Sequence, residues 1–552
     1  MAAADDWVAR TAGQVRAEGE RRHPGETPTC ASGISPSGPV HLGNLRELMV
    51  PHLVADEVRR EGAPCRHILS WDDYDRFRRV PGGFPEEFAE HVGRPLTSVP
   101  DPCGSHQNWA EHFKEPLRES LDRLGVVVTE ISQTEMYTSG AYTAQIVTAM
   151  RRRADIDAVL AKYRTKRAAD PDPDDDEPQA GVYYPFKPYC ASCGRDDTTV
   201  TGFDDETTEI TYTCACGVRA GPTPIAQVAG KLVWKVDWPM RWSYEHVTFE
   251  PAGVDHSTPG SSFTVGAELV SEIFGGEIPL HFGYAFVGTS GGSSKMSGSR
   301  GGAPTPADAL EIFEAPLVRW LYARRRPEQS ITLAFNAEVG RVYDEWDALA
   351  RRVAEGNASP PDQVIFARAS GPAEGPLPVT PRPLPFSTLA SIADITVGDQ
   401  AQILRIVRAL TADDPVDDLD EVRPRLDCAH AWVTGYATPD ERTQVRTEPD
   451  TARLAALTGE ERGALKLLTD RMAADWSLEG LTTLLYGVPK LQRGLPISAD
   501  PTAELKAIQR DWFKLLYQLL VGKDRGPRLP TLLLALGQER VRYLIDGPES
   551  LR

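Results

Sequence analysis

Two short segments carry residues that could do chemistry on a nucleotide: His41-Leu42-Gly43-Asn44 and Lys295-Met296-Ser297-Gly298-Ser299. The first follows Ala31-Ser32-Gly33-Ile34-Ser35-Pro36-Ser37-Gly38, where a strand pattern breaks into a Gly/Ser/Pro turn and a helix starts near Pro39. A helix start presents unpaired backbone N–H groups and the positive end of the peptide dipoles, which suits phosphate. A histidine in its first turn, His41, can donate to a phosphate oxygen as charge builds there, and Asn44 supplies a second neutral donor. Losing one such preorganised donor costs about 3–4 kcal/mol in a transition state. Glycines at 33, 38 and 43 let a ligand approach the backbone closely. Lys295 stands in a loop dense in glycine and serine, where a flexible ammonium can follow β- and γ-phosphates as they leave, with Ser297 and Ser299 as hydrogen-bond donors. Alone, each segment reads equally as a helix cap or a surface loop. In this order they can close over a nucleotide from two sides.

The surrounding pattern supplies elements to hold them. Arg66–Trp71 reads as a buried strand ending in the acidic turn Asp72-Asp73-Tyr74-Asp75. Between it and the first strand, Leu45, Leu48, Met49, Leu53 and Val54 make an amphipathic helix. Strand, crossover helix, strand is the unit of a parallel α/β sheet, whose ligands bind at the carboxyl ends of strands. The α/β pattern resumes at Lys231–Trp238, read as an alternating strand in which Trp238 packs into the core. From about residue 307 the pattern is helical. Ile403, Leu404, Ile406, Val407 and Leu410 share one face, as do Leu505, Ile508, Trp512, Leu515, Leu516 and Leu519, with a stop expected at Gly522.

Lys and Arg total 60 against 79 Asp and Glu, a formal charge of −19, which argues against charge-driven binding to nucleic acid or anionic membrane. No apolar run reaches membrane-spanning length and the N-terminus lacks a secretory pattern, so a cytoplasmic protein is expected. The run Asp170–Pro178 is expected to be an exposed loop. Beyond it, Cys190-Ala-Ser-Cys193-Gly and Cys214-Ala-Cys216-Gly offer four soft ligands with glycine after each pair, the pattern of a structural Zn²⁺ knuckle. Cys30, Cys65, Cys103 and Cys428 stand apart and are expected to be buried packing residues.

The His-x-Gly-Asn and Lys-Met-Ser-x-Ser pair resembles the signature loops of class I aminoacyl-tRNA synthetases. With Gly33–Gly38, Trp234-Lys-Val-Asp237-Trp238-Pro-Met-Arg241-Trp242 and Gly253-Val-Asp255-His256, the chain looks like the class I lysyl-tRNA synthetases over nearly its full length. These are the lysine enzymes of archaea and some bacteria. The resemblance implies a Rossmann-type parallel-sheet catalytic domain at 27–306 behind a helical lead-in at 1–26, with a zinc-binding insertion at 188–220. A helical connector with a Pro-rich segment at 307–390 and a helical anticodon-binding region at 391–552 would follow. It implies ATP with Mg²⁺, L-lysine and tRNA(Lys) as reactants. His41, Gly43, Asn44, Asp255, Lys295, Met296, Ser297 and Ser299 would contact ATP, with His41, Asn44 and Lys295 catalytic. Gly33, Ser35, Trp234, His256 and Tyr284 are the candidates for the lysine pocket, with Asp237, Asp72 or Asp73 facing the ammonium.

Asn44 replaces the second histidine of the class motif and keeps a donor, whereas Gly298 stands where the class has its second lysine, with Arg300 following. The main alternative is a synthetase-like paralogue that adenylates an amino acid for an acceptor other than tRNA. A non-catalytic nucleotide- or RNA-binding module and another nucleotidylyltransferase are the further readings. The oligomeric state stays open, with a monomer favoured.

Overall fold

The structure is a computed structural model describing residues 6–164, 182–258, 261–290 and 302–547. The acidic run Asp170–Pro178 and the whole Lys295–Arg300 segment lie outside the described residues. Helix α1 (Trp7–Arg22) leads into β1 (Thr29–Ile34), α2 (Leu42–Arg60) and β2 (Arg66–Trp71), followed by α3 (Trp109–Arg123) and β3 (Thr129–Ser132). The strand–helix–strand unit read from the apolar pattern is present. β1 and β2 pair in parallel with Gly33 opposite Ser70 and Ile34 opposite Trp71. The crossover helix buries Leu45, Leu48, Met49, Leu53 and Val54, the stripe seen in the sequence.

Helices α4 (Gln133–Thr138), α5 (Thr143–Arg151) and α6 (Arg153–Arg164) precede an inserted module. There, β4 (Phe186–Pro188) pairs with β8 (Gly230–Leu232), and between them β5 (Thr198–Phe203), β6 (Glu209–Cys214) and β7 (Arg219–Pro224) form an antiparallel sheet. The chain then makes α7 (Trp234–Tyr244) and β9 (Val247–Phe249), which completes a parallel sheet of order β3-β2-β1-β9.

Helix α7 corrects the sequence reading, which took Lys231–Trp238 as a strand. Only Gly230–Leu232 is extended; from Trp234 the chain is helical. The deciding spacing is four, not two. Trp234, Trp238 and Trp242 form a continuous ladder, with ring centroids 5.2 and 4.9 Å apart, and Asp237 pairs with Arg241 one turn on.

Beyond β9 come β10 (Ala252–Gly253), α8 (Ser262–Glu272), β11 (Gly283–Tyr284) and β12 (Val287–Thr289). After α9 (Pro306–Ile312) and α10 (Ala315–Ala323), β13 (Ile331–Leu333) pairs in parallel with β12. Every later regular element among the described residues is helical, from α11 (Glu338–Ala354) and α12 (Pro360–Ser370) onward. The chain divides into two compact units, residues 1–310, 315–333 and 352–377 in one, and 311–314, 334–351 and 378–552 in the other. The second has its own core, in which Leu465, Leu468, Leu485, Trp512, Leu516 and Leu519 pack together. Its helices include the two read from periodicity, over Gln400–Leu410 and Ala503–Val521, the latter ended by Gly522 at φ 71°.

Candidate active site

The turn after β1 runs further than the sequence suggested, and α2 begins at Leu42 rather than near Pro39. His41 is therefore the residue that caps the helix, with extended backbone angles of φ −95° and ψ 169°. Its Nδ1 accepts from the Asn44 amide at 3.3 Å, and the Asn44 carbonyl oxygen accepts from the His41 amide at 3.3 Å. This reciprocal cap satisfies two amides that the helix leaves unpaired. It also fixes the imidazole. With the Nδ1 lone pair engaged, the neutral ring carries its proton on Nε2, and burial lowers the pKa so that the neutral form prevails near pH 7. The result is an uncharged N–H donor held by the backbone.

Gly43 is required by this geometry, because a Cβ there would stand 2.8 Å from both Cε1 and Nδ1 of His41. Gly43→Ala is expected to displace the ring and lower the rate of amino-acid activation about 100-fold, as misplacement of about 1 Å does. Steady-state kinetics alongside a melting curve would check this. An unchanged rate would mean that His41 does not act from this position.

A cavity of about 70 Å³ opens beside this turn, lined by Gly33 and Ser70 of β1 and β2, by Trp234, Trp238 and Trp242 of α7, and by Glu47, Glu250, Gly253 and His256. Gly33, Trp234 and His256 thus meet in one place, whereas Ser35 and Tyr284 are not in the lining. Tyr284 is buried, with Arg46 at 5.7 Å from its ring, and burial together with the charge of Glu47 raises its phenol. His256 reaches Trp238 at a ring distance of 6.4 Å. Asp255 is exposed on a single turn of 3₁₀ helix, and a Cβ on Gly253 would come within 2.4 Å of its Oδ1, so only glycine accommodates it there.

The three aspartates expected to face an ammonium are already engaged. Asp237 binds Arg241, accepts from Tyr137 Oη at 2.5 Å and lies 3.5 Å from Lys231 Nζ. Asp72 takes the other side of the Arg241 guanidinium at 2.6 Å. Asp73 accepts from Lys114 Nζ, Ser132 Oγ and the Thr134 amide, each at 2.7 Å.

Two carboxylates that sequence reasoning missed occupy the cavity instead. Glu250 accepts from the indoles of Trp238 and Trp242 at 3.0 and 2.6 Å, and burial pushes its pKa up to about 7 despite these bonds. Glu47, on α2, has no cationic partner among the described residues. Burial raises it far above the usual carboxylate range, Glu250 and Asp72 add to the rise, and the Gly33 amide opposes it. Buried carboxylates in this state are poised for a cation.

In the inserted module the four cysteines converge, with Cys190 Sγ 3.7 Å from Cys216 Sγ and Cys193 Sγ 3.7 Å from Cys214 Sγ. Zn–S bonds of about 2.3 Å in a tetrahedron give S···S edges of about 3.8 Å. The donor set and its spacing fit zinc.

A family model described as tRNA synthetases class I (K) matches residues 5–365. The chain belongs to this family. Proteins named lysine–tRNA ligase are similar to it along nearly their whole length. That of Streptomyces coelicolor is 56% identical, with 98% of each chain covered. Those of Thermococcus kodakarensis and Pyrococcus horikoshii are each 34% identical, covering 94% and 97% of this chain and 95% and 98% of their own.

For the synthetase, the remaining signature segment lies at 291–301, outside the described residues, but its flanks are informative. The chain leaves from Ser290, whose amide donates to Leu333, and on its return the Pro304 carbonyl accepts from the Leu42 amide at 2.9 Å. The segment that contains Lys295 is therefore anchored at the first residue of α2. Among the described residues of the synthetase, no helix is long and apolar enough to cross a membrane.

Proposed function

We infer that the synthetase activates L-lysine with ATP and transfers it to tRNA(Lys). One observation carries the lysine assignment: the tryptophan-walled cavity beside the His41 cap holds two buried carboxylates, Glu47 and Glu250, without a countercharge among its described neighbours. A lysine ammonium supplies that charge, and indole faces suit its aliphatic stem and attract its cation.

In this reading ATP lies over the turn between β1 and α2. The lysine carboxylate oxygen forms a bond to the α-phosphorus as the bond to the β-phosphate oxygen breaks, which releases pyrophosphate. The terminal ribose hydroxyl of tRNA then attacks the adenylate carbonyl, and AMP leaves. His41 donates from Nε2 to phosphate oxygens as charge builds, with Asn44 holding its ring and Gly43 leaving it room. Lys295, Met296, Ser297 and Ser299 close over the departing pyrophosphate from the other side. Asp255 and His256 address the adenosine ribose. Gly33, Ser35, Trp234, His256 and Tyr284 surround lysine, with Glu47 facing its ammonium. Mg²⁺ would accompany ATP and spread its phosphate charge. The work of the protein is positioning and electrostatic stabilisation rather than covalent catalysis.

Cys190, Cys193, Cys214 and Cys216 would hold a structural Zn²⁺; four thiolates leave no open coordination position for catalysis. We assign residues 27–306 to catalysis, 188–220 to the zinc module, 307–390 to a helical connector and 391–552 to recognition of the anticodon. The helical second unit, with its separate core, supports the last assignment.

Lysine-dependent exchange of pyrophosphate into ATP, run with and without tRNA(Lys), tests the reading. Exchange and lysyl-tRNA formation are expected when tRNA is present. Absence of both under that condition would overturn the function. Exchange without charging would favour a different acceptor.

A further inference from the structure

We propose that Asp101, Cys103, His106 and His112 form a second metal site, for a divalent cation of the zinc class, which braces the turn that binds ATP. The site itself stands apart from the functional reading; only the bracing rests on it.

The sequence reading took Cys103 for a buried packing residue. Instead it is exposed, and its thiol faces three other potential ligands. Cys103 Sγ lies 3.2 Å from Asp101 Oδ2 and 3.4 Å from Nδ1 of both His106 and His112. The Asp101 carboxylate lies 3.2 Å from His106 Nδ1 and 2.9 Å from His112 Nδ1. One donor atom from each residue falls within 4.8 Å of all the others. Metal–nitrogen and metal–oxygen bonds of about 2.0–2.1 Å and a metal–sulfur bond of about 2.3 Å give tetrahedral edges of about 3.3–3.6 Å. The observed separations match these within a few tenths of an ångström, as they do at the four-cysteine site.

The donors also suit the ion. One thiolate, two imidazoles and one carboxylate form a borderline set that favours zinc over magnesium or calcium. Asp101 is held in place, its side chain only 3% exposed, with backbone amides of His106 and Cys103 donating to it at 2.6 and 3.3 Å. Burial would raise its pKa, yet these hydrogen bonds outweigh that and lower it, so the carboxylate is ionised as a ligand must be. The exposure of Cys103 leaves a path for entry. Four protein ligands complete the coordination, which makes the role structural.

The ion would connect this loop to the ATP turn. Three ligands come from the irregular stretch before α3, and the fourth, His112, from the first turn of the helix itself. That same turn carries Trp109, whose Nε1 donates to the Ser37 carbonyl at 3.2 Å. Ser37 lies between β1 and His41. Without the ion, a carboxylate and a loop of polar side chains are all that fix the start of α3.

Elemental analysis of the full chain purified in zinc is expected to find two zinc ions per molecule, falling to one in the Cys103→Ser/His106→Ala double variant. One ion in the unsubstituted protein, unchanged in the variant, would overturn the site. Cobalt substitution gives a readout that needs no variant to fold, since a one-thiolate chromophore is expected beside the four-thiolate one. Cobalt bands from four-thiolate coordination alone would equally overturn it. The variant is also expected to raise the KM for ATP about tenfold, with that for lysine within about twofold, the size of effect that loosened positioning produces. Loss of the ion with an unchanged KM for ATP would overturn the brace. Failure of the ATP reading itself would be distinct, because the unsubstituted protein would then show no exchange.

Discussion

Glu47→Gln is expected to raise the KM for lysine by roughly 30- to 700-fold, the equivalent of about 2–4 kcal/mol lost when one partner of a buried charge pair is removed. The KM for ATP should stay within about twofold, because Glu47 lies in the cavity beside Gly33 and not on the cap of α2. Exchange kinetics with tRNA present separate the two constants. Equal rises in both would sink the assignment. The same cavity gives a pH signature through Glu250. Its folded pKa is raised from an ordinary 4.5 to about 7, so the folded state holds this proton more tightly than the unfolded chain. Its contribution to stability is therefore largest below the unfolded value and is lost as pH rises through 7. Lysine binding should run the opposite way. Ionised Glu250 adds a negative charge to the cavity, and the KM for lysine should fall between pH 6 and 8. Glu250→Gln is expected to flatten both profiles; a slope that persists in the variant would assign the titration elsewhere.

His41→Ala is expected to lower kcat/KM for activation by about 100- to 1000-fold, the usual loss on removing one preorganised donor. Two effects are mixed in this variant, because His41 is also the helix cap, and losing a cap costs about 1 kcal/mol of stability. His41→Asn separates them. Asparagine is a good cap, so thermal stability should return nearly to that of the unsubstituted chain, while the shorter side chain cannot offer the imidazole Nε2–H and activity should remain low. If His41→Asn recovered both, the histidine would matter only as a cap.

The parallel sheet was legible because its signal is local. β1, α2 and β2 each bury a short apolar pattern bounded by turn residues, and the connection between them has one favoured hand. The four-cysteine cluster was legible for a similar reason, since its ligand types and glycines sit at characteristic spacing. Helix α7 was harder to recognise. Three tryptophans in a run dense with apolar residues satisfy an alternating pattern as readily as a helical one, and only the four-residue interval between Trp234, Trp238 and Trp242 tells them apart. Glu47 was hidden more deeply. On α2 it stands between buried Arg46 and Leu48, and a glutamate in an amphipathic helix reads as solvent-facing until the ends of β1 and β9 are brought against it. The aspartates at 72, 73 and 237 attracted attention as charges at strand ends, yet Arg241 and Lys114, remote in sequence, neutralise them. Asp101, Cys103, His106 and His112 could have been found from sequence. Their spacing is that of a short metal loop, but treating the cysteines as pairs or strays left it unread.

The hydrogen bond from the Leu42 amide to the Pro304 carbonyl has a kinetic consequence. Two signature segments far apart in the chain share one pivot at the first residue of α2. Any swing of the Lys295 segment about its returning strand therefore pulls on the residue next to His41. Closure over pyrophosphate and the aim of the imidazole become a single motion, so product departure and resetting of the histidine should occur with one rate constant.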